Sequence, residues 1–279
     1  MRALSDVMAR KHLLIVRAGD KSLHPGWLQG ARDFDLHISY FGAQEKPFGD
    51  LPQGVTLSRE AGPKWLGLKD CLESHGDFLD RYSRIGFPDD DLAADAACWN
   101  TALRVLEETD AALGQPALDP LSFYSYDITL RRAWLRYREV DFVELMAPIF
   151  RVDFLKKVLP TWQLNKSSWG LDMVWRDIAR RGGDKLVIVD ACSVLHTRAI
   201  GKGAQYSAAN MQGASQYDEY RALLDAHRIT DTSRHALKGV RADGREETNL
   251  FRLNRHLTWA GLRRKWRAAR GTTLVEGPR

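Results

Sequence analysis

The stretch RIGFPDDDLAAD, residues 84–95, places three consecutive aspartates, Asp89, Asp90 and Asp91, directly after a short apolar run and a proline. Carboxylates this close repel one another and raise one another's pKa unless a cation compensates them. Oxygen ligands crowded on one loop suit Mg²⁺ or Mn²⁺, which usually bridge to substrate phosphates. An acidic cluster that favours a following helix through the helix dipole needs the same residues. The stretch alone therefore leaves a metal site and a helix start as alternatives.

The runs on the N-terminal side predict that the aspartates follow a strand of an α/β sheet. HLLIVR (12–17), FDLHISYF (34–41) and RIGFP (84–88) are apolar or alternating runs typical of strands. Between the last two, PKWLGLKDCLESHGDFLDRYS (63–83) spaces its apolar residues mostly as a helix does. Ligands of such sheets bind beyond the carboxyl ends of the strands, and the aspartates fall there.

Strands continue to alternate with helices on the C-terminal side. Residues 92–113 are rich in Ala and Leu and predict a helix with Asp91 as its N-cap. The following segments are predicted as a loop (114–120), a β-like run (121–130), a strand that continues into an amphipathic helix (139–162), a helix ended by glycines (167–183) and a buried strand (184–190). The alternation predicts an α/β domain over roughly residues 10–200.

Composition is that of a soluble globular protein. The 279 residues are 44% apolar, enough to bury a full core. The apolar run Leu13–Val16 is too short for a secretory signal, and no later stretch reaches membrane-spanning length, so we expect a cytoplasmic protein. The three cysteines, Cys71, Cys98 and Cys192, lie far apart and have no CxxC spacing. They are predicted to be reduced core thiols.

Positive charge is concentrated at the C-terminal end. Residues 234–279 carry 12 Lys and Arg against 4 Asp and Glu, a local charge of +8, which leaves −3 on residues 1–233. We expect a main domain over residues 1–205 and a helical, basic extension over residues 206–279. In NLFRLNRHLTWAGLRRKWRAARG (249–271), Trp and Leu at helical spacing stand among arginines, as in helices that bind anionic membrane surfaces. Docking of the same residues on the main domain is the alternative.

Several stretches together resemble a known family. LLIVRAGDKS, KWLGLKD, YSRIGFPDDDL, FYSYDITL, DFVELMAPIF, SSWGLDMVW and IVDACSVLHTR follow one another in order over about residues 12–200. They resemble the family called domain of unknown function 707, which looks like a GT-A glycosyltransferase. The resemblance implies a Rossmann-like mixed sheet flanked by helices and a nucleotide-sugar donor. The family has no settled reaction, so the activity is inferred from the GT-A enzymes that the family resembles. Fold alone does not fix function.

The resemblance also gives roles to individual residues. The aspartate stretch corresponds to the DxD motif of GT-A enzymes, which implies that Asp89 and Asp91 bind Mn²⁺ or Mg²⁺ and that Asp89 and Asp90 lie near the ribose and diphosphate of the donor. His196, after the last core strand, is in the position of a third metal ligand, although a lone histidine also serves as a core residue. Asp172, at the start of a helix near Trp169 and Trp175, is predicted as the general base. A carboxylate in a partly apolar pocket has a raised pKa and can take a proton from an acceptor hydroxyl. An ion pair with Arg176 at i+4 is the alternative.

Contacts to the donor and the acceptor are predicted at further positions. The donor side comprises Arg17, Asp20 and Lys21 at the end of the first strand and Lys64 before the helix that leads to the aspartates. A polar turn and a solvated lysine would need the same residues. The acceptor side comprises Glu144, a lone carboxylate in an apolar run that needs a partner or a function, and Trp169. Tyr124, Tyr126 and Trp134 could stack on sugars or pack in the core.

The predicted function is transfer of a sugar from a UDP- or GDP-sugar to a glycan or lipid-linked acceptor. Inversion is favoured because no second nucleophile stands out in the sequence. A DxD phosphatase is the first alternative, but Leu92 and Ala93 stand where it needs Thr or Val. A DDxxxD prenyl-type site is the second alternative, but enzymes with that site are all-helical, whereas this chain alternates strands and helices. A regulator that binds nucleotide sugars without turnover stays open, and nucleic-acid binding by the basic extension is not expected because no RNA or DNA fold motif is present.

Overall fold

The structure is a computed structural model that describes residues 10–199 and 215–254. Its first part contains four strands that pair in parallel: β1 (His12–Ala18), β2 (Phe34–Tyr40), β3 (Val55–Arg59) and β4 (Arg84–Gly86). Between them lie α1 (His24–Trp27), α2 (Lys64–Ser74) and α3 (Phe78–Arg81). β1 and β2 are buried along their whole length, which is why their apolar runs could be recognised in the sequence.

The middle of the chain extends the same sheet. It comprises β5 (Leu92–Ala93), α4 (Ala96–Glu108), β6 (Leu113–Leu118), β7 (Leu135–Val140), β8 (Ile149–Arg151), α5 (Val152–Val158), α6 (Leu171–Gly182) and β9 (Leu186–His196). β8 runs antiparallel between β4 and β6, and β6 pairs in parallel with β9. The short strand β5 pairs with the end of β9 and brings the aspartate stretch to that strand.

The residues after the gap at 200–214 form α7 (Gln216–Ala226), β10 (Ala236–Arg241), β11 (Glu246–Glu247) and α8 (Leu250–Asn254). The sheet order is β11-β10-β7-β9-β6-β8-β4-β1-β2-β3. The predicted fold class, a mixed sheet flanked by helices, is confirmed. The extension is not helical throughout, however, because β10 pairs antiparallel with β7 and joins the main sheet.

The core forms two apolar clusters. One is centred on aromatic side chains from α2, β8 and α6, among them Trp65, Phe150 and Trp175, with ring centroids 4.9–5.0 Å apart for the pairs with Trp175. The other contains Trp27 and Trp99, which meet edge to face at 5.1 Å. Within the described ranges no helix is long and apolar enough to cross a membrane.

The prediction that Asp91 caps the helix after the aspartates is wrong. Leu92 pairs with His196 in the short β5–β9 ladder, so the chain is still extended at this point. α4 begins only at Ala96, and its N-cap is Asp95, whose side chain accepts a hydrogen bond of 2.8 Å from the Cys98 N–H. Asp91 therefore does not cap α4.

Two further segments differ from the prediction. Residues 114–120, expected as a loop, mostly belong to β6, a buried strand beside β9. Pro116 lacks the N–H that a central strand needs, but it lies at a register irregularity between β6 and β9, where a missing donor is tolerated. Residues 121–130, expected as β-like, form a loop with a short 3-10 helix, Asp127–Thr129. β10 was missed because its sequence, ALKGVR, carries no apolar run.

The tail predicted to bind membranes lies mostly outside the described residues. The tail was predicted to have two apolar faces, and α8 contains only the beginning of the first one. There Leu253 is fully buried against the sheet, whereas Leu250 and Phe251 are exposed. Trp259, Leu262, Trp266 and the arginines around them fall beyond residue 254, so the membrane contact stays a prediction.

Candidate functional site

The aspartates lie at the carboxyl end of β4 and meet the end of β9. The β5–β9 pairing sets Asp91 beside His196, with 3.2 Å between Asp91 Oδ2 and His196 Nε2. On the other side of the ring, Nδ1 lies 2.7 Å from the Phe123 carbonyl oxygen, which can only accept. His196 therefore presents Nε2 to the aspartates. We call Asp89, Asp91, His196 and Lys64 the metal-facing cluster, after the ion that the sequence predicts there.

Asp91 and His196 strongly affect each other's environment in the metal-facing cluster. Burial by itself would lower the pKa of His196, but the hydrogen bond and charge of Asp91 raise it to about 9. The protonated ring thus places a positive charge beside Asp91. Asp91 Oδ1 is buried and has no hydrogen-bond donor among the described residues. A buried carboxylate oxygen left in this state is costly unless a cation binds it, so the residues fit a metal.

Asp89 faces Lys64 across the opening of the site. Lys64 Nζ lies 2.5 Å from Asp89 Oδ1 and also donates to the Leu145 carbonyl at 2.9 Å. Burial raises the pKa of Asp89, and the charge of Lys64 opposes that rise. Because its side chain is 33% exposed, Asp89 can still reach a ligand, with an ammonium group beside it for a phosphate.

Asp90 differs from its two neighbours. Its Oδ2 accepts the Gly19 N–H at 3.0 Å, and its Oδ1 accepts from Arg198 Nη1 at 3.0 Å. Arg198 also donates to the Lys21 carbonyl at 2.5 Å. Both carboxylate oxygens of Asp90 thus have protein donors, and the residue ties the loop after β1 to the segment after β9. Its predicted contact with the donor stays a prediction.

The donor residues predicted on the first strand lie around this loop. Arg17, at the end of β1, is buried and donates to Ser39 Oγ, to the Glu60 carbonyl and to the Gly62 carbonyl at 2.7–3.0 Å. Its guanidinium group therefore fixes β2 and the segment after β3. Asp20 is exposed and accepts from the Tyr40 hydroxyl, and Lys21 is exposed. A nucleotide contact of these three residues stays a prediction.

Two buried carboxylates, Asp172 and Glu144, lie next to the metal-facing cluster. We call them, with Tyr126 and Arg234, the carboxylate pocket. Asp172 is in the first turn of α6, which follows Gly170 at φ 92°, a conformation that favours glycine. Its Oδ1 accepts the Met173 N–H at 3.0 Å. The burial of the carboxyl group raises the pKa of Asp172 to about 6. An aspartate with this pKa can accept a proton near neutral pH.

Glu144 shares this pocket through charge. Burial and the charge of Asp172 raise the pKa of Glu144 to about 7, while His196, a hydrogen bond from Ser125 and Arg234 oppose the rise. Its Oε2 is buried without a hydrogen-bond donor among the described residues. The effect of His196 on Glu144 also shows that the carboxylate pocket and the metal-facing cluster adjoin. The prediction that Glu144 needs a partner or a function therefore fits its surroundings.

Arg234 was missed by the sequence analysis. It precedes β10, in the basic extension, and its guanidinium carbon lies 3.7 Å from the ring centroid of Tyr126 and 4.6 Å from that of Phe142. Its charge lowers the pKa of both Asp172 and Glu144, against the effect of burial. No local pattern singles it out among the twelve Lys and Arg of residues 234–279, because its position depends on the pairing of β10 with β7.

The structure also resolves the alternatives around α6. Arg176 does not pair with Asp172. It binds Asp141 and Asp231, each at 3.2 Å, so the predicted i+4 ion pair is absent. Trp175 is fully buried in the aromatic core, and its Nε1 donates to Thr161 Oγ1. Trp169 is half-buried, with its ring 5.1 Å from that of Tyr217, and its contact with an acceptor stays a prediction.

Comparison with known proteins identifies the fold. No protein-family model matches the chain, and no curated protein is similar to it in sequence. The resemblance to the domain of unknown function 707 therefore rests on the stretches quoted above.

Among solved structures, the chain is similar to GalNAc-T7 in complex with UDP, GalNAc and Mn²⁺, at 11% identity and a TM-score of 0.52, over 79% of this chain and 48% of that one. It is also similar to Staphylococcus aureus TarS 1–349 in complex with UDP-GlcNAc, at 11% identity and a TM-score of 0.48, over 80% and 68% of the two chains. A third match is a protein from Desulfovibrio desulfuricans G20 assigned as a nucleotide-diphospho-sugar transferase, at 14% identity and a TM-score of 0.40, over 77% and 96%. The similarity to GalNAc-T7, together with the mixed sheet flanked by helices, shows a GT-A-like fold.

Proposed function

We propose that this chain is a metal-dependent glycosyltransferase that moves a sugar from a UDP- or GDP-sugar to a glycan or lipid-linked acceptor with inversion. The observation that carries the proposal is the buried, unpartnered Oδ1 of Asp91 beside His196, next to a pocket with two carboxylates of raised pKa. A cation site for a diphosphate and a base for a hydroxyl are the two parts that such a transfer needs. The GT-A-like fold supports the proposal, and the UDP and Mn²⁺ bound to GalNAc-T7 suggest the ligands to test.

Asp89, Asp91 and His196 would hold the ion. Two carboxylates suit Mg²⁺ or Mn²⁺, and an imidazole ligand favours Mn²⁺ of the two. When bound, the ion supplies Lewis-acid stabilisation of the charge that develops on the leaving nucleoside diphosphate. Lys64, 2.5 Å from Asp89, adds a second positive charge on the same side of the site.

Asp172 would take the proton of the acceptor hydroxyl. Its backbone hydrogen bonds at the start of α6 fix the carboxylate, and burial keeps its pKa near the pH at which it must act. Glu144, with a pKa of about 7, keeps its proton longer than Asp172 and can donate a hydrogen bond to the sugar or the acceptor. A single displacement at the anomeric carbon then inverts its configuration.

Two adjacent aspartates provide the test. Binding of UDP and GDP is measured by calorimetry with and without Mn²⁺ for the wild type, Asp91→Asn and Asp90→Asn. We expect Mn²⁺ to strengthen diphosphate binding to the wild type and Asp90→Asn, whose side chain is engaged by Gly19 and Arg198. Asp91→Asn should lose this dependence. Equal, metal-independent affinity in all three proteins would contradict the proposal.

Turnover separates a transferase from a regulator that only binds nucleotide sugars. Wild-type protein with Mn²⁺ is incubated with UDP-GlcNAc, UDP-GalNAc or GDP-mannose, and release of the nucleoside diphosphate is followed with and without candidate acceptors. Release that depends on an acceptor supports the transferase. Saturable donor binding without any release over the whole acceptor set would favour the regulator.

A further inference from the structure

A second group of metal-binding side chains lies between β2 and α2, apart from the metal-facing cluster. His37 is in the middle of β2, Cys71 is on α2, and His75 directly follows the last residue of α2. One ligand atom from each residue lies within 4.8 Å of the other two. Cys71 and His75 are four residues apart, which sets them on the same face of the helix. None of these three residues has a part in the proposed transfer.

The ring of His75 is oriented as in many metal-bound histidines. Its Nδ1 lies 3.0 Å from the Cys71 carbonyl oxygen, which can only accept, so Nδ1 carries the proton. The lone pair is then on Nε2, which has no hydrogen-bond donor among the described residues. The ring stacks on Phe78 at 4.9 Å with an interplanar angle of 14°. Histidine ligands of metals typically donate the second ring N–H to a carbonyl in this way.

His37 is fully buried and neutral, as a ligand must be. Burial lowers its pKa to about 4. Its Nδ1 lies 2.7 Å from Thr56 Oγ1, and its Nε2 lies 2.7 Å from Ser58 Oγ. Ser58 donates its own proton to Glu60 at 2.5 Å. An ion would replace one of the two hydroxyl contacts of His37, and the serine or threonine side chain would then turn about χ1 to make room for it.

Cys71 is the soft ligand of the group. It is fully buried, and burial raises the pKa of its thiol to about 12. Without a cation the side chain therefore keeps its proton. Binding of a metal would release that proton and leave a thiolate whose charge the ion compensates. Thiolate and imidazole ligands select Zn²⁺ over Mg²⁺ or Mn²⁺, so this group and the metal-facing cluster differ in the ions that they suit.

We propose that His37, Cys71 and His75 form a binding site for Zn²⁺, with the Cys71 thiolate and two imidazole nitrogens as ligands and water at the fourth position. The half-exposed ring of His75 gives the ion and the water access. Bond lengths of about 2.0–2.3 Å in a tetrahedron place ligand atoms roughly 3.5 Å apart, so the three ligand atoms, which lie within 4.8 Å of one another, would move closer together on binding.

The ion would fix the helix that carries Lys64. Lys64 is the first residue of α2, and Cys71 lies seven residues, or about 10 Å, further along the same helix. Lys64 in turn donates to Asp89 in the metal-facing cluster. Zn²⁺ between α2 and β2 would thus hold in place the lysine at the proposed diphosphate site without touching that site.

Co²⁺ is the probe for this site, because a thiolate ligand gives it an intense near-ultraviolet charge-transfer band and oxygen ligands do not. The full chain, stripped of metal under reducing conditions, is titrated with Co²⁺, and Zn²⁺ is then added as a competitor. We expect one equivalent of Co²⁺ to produce the band and Zn²⁺ to abolish it. The Asp91→Asn variant should give the same band, so failure of the proposed function and failure of this site can be told apart.

Cys71→Ser and His75→Ala test the ligands, with Cys98→Ser as the matched control. We expect both ligand variants to lose more than about 100-fold in Zn²⁺ affinity, since even residues that only orient a ligand are worth about 10–100-fold. Cys98→Ser should bind as the wild type does. Circular dichroism confirms that each variant is folded, and His75→Ala, at the helix end, keeps the test available if Cys71→Ser does not fold. A wild type without the band, or a band that survives in Cys71→Ser, overturns the proposal.

Discussion

The metal-facing cluster and the carboxylate pocket adjoin, and both contain buried acidic groups, but their charges are compensated differently. In the cluster, Asp89 has Lys64 at 2.5 Å and Asp91 has His196 at 3.2 Å. In the pocket, burial raises the pKa of Asp172 to about 6 and that of Glu144 to about 7, and the charge of Arg234 opposes this rise only in part. One region has a cation at contact distance from each of these two carboxylates, whereas in the other region neither carboxylate forms an ion pair with a described residue.

This difference separates two kinds of chemistry. Carboxylates that lie beside cations suit the binding of an ion and a diphosphate. Carboxylates with a raised pKa can exchange a proton near neutral pH, as a general base must. Each of the following variants is expected to change one region and spare the other.

The largest effect is expected for Asp172→Asn, which keeps the shape of the side chain and removes the base. We expect kcat for transfer to fall by about 10²–10⁴-fold, the usual worth of general-base catalysis. The Kd for the nucleotide in the presence of Mn²⁺ should stay within a factor of about two. The measurements are steady-state kinetics and calorimetry on the same preparation. A variant that loses donor affinity but keeps its turnover would break the distinction between the two regions.

Asp172→Asn is also expected to have a smaller effect, on stability. It should raise the stability of the protein, whereas the corresponding substitution in the metal-facing cluster, Asp91→Asn, should lower it. Because burial raises the pKa of Asp172 from 3.8 to about 6, the charged group weakens folding above pH 6 by up to roughly 3 kcal/mol. Asp172→Asn removes this cost and loses part of the hydrogen bonding, so we expect a gain in the free energy of unfolding of about 1–2 kcal/mol at pH 8.

The pH dependence of this gain gives the check. It should diminish as the pH falls through 6 and vanish below about 3.8, where Asp172 is protonated in the folded and the unfolded chain alike. Urea unfolding of metal-free protein between pH 5 and pH 8 measures it. Asp91→Asn should instead lower the stability, because His196 loses the carboxylate that raises its pKa. If both variants were less stable than the wild type at pH 8, the two regions would not differ in the way proposed.

The smallest effect is expected for Arg234→Met. The charge of Arg234 lowers the pKa of Asp172, so its removal should raise that pKa and move the acidic limb of the kcat profile to higher pH by about one pH unit. A shift of this size reduces kcat by about threefold at pH 6.5 and leaves it unchanged at pH 9.

Arg176→Met is the matched control, since Arg176 binds Asp141 and Asp231 and does not pair with Asp172. It is expected to leave the acidic limb in place. If both variants had the same limb as the wild type, Arg234 would have no part in the protonation of the pocket.

The parts of the fold that the sequence predicted are those with a local signal. β1, β2, β4 and β9 are buried runs, and α6 ends at Gly183, whose φ of 67° suits glycine. β6 was missed because Gly114 and Pro116 are typical of loops, and only its position beside β9 makes it a strand. A propensity at one position was overridden there by tertiary pairing.

The candidate site divides in the same way. Asp89 and Asp91 could be singled out because they belong to one run of three aspartates that resembles a DxD motif, and Asp172 because it lies at a predicted helix start within a stretch that carries the resemblance. The proximity of Glu144 to Asp172 depends on where residues 141–148 cross the sheet, and that of Arg234 depends on β10. The spacing of residues along the sequence does not predict how close such remote segments lie in the fold.

The pairing of β10 with β7 sets an order in which the site can be completed during synthesis. His196 leaves the ribosome with β9, and from then on the metal-facing cluster has all its ligands. Arg234 and β10 follow about 40 residues later, which corresponds to roughly 2–8 s of translation. During that interval the antiparallel edge of β7 that β10 will cover is unpaired, and Asp172 has no guanidinium beside it. A pause in translation over residues 197–241 would prolong the exposure of this edge, so slow codons there should lower the yield of soluble protein.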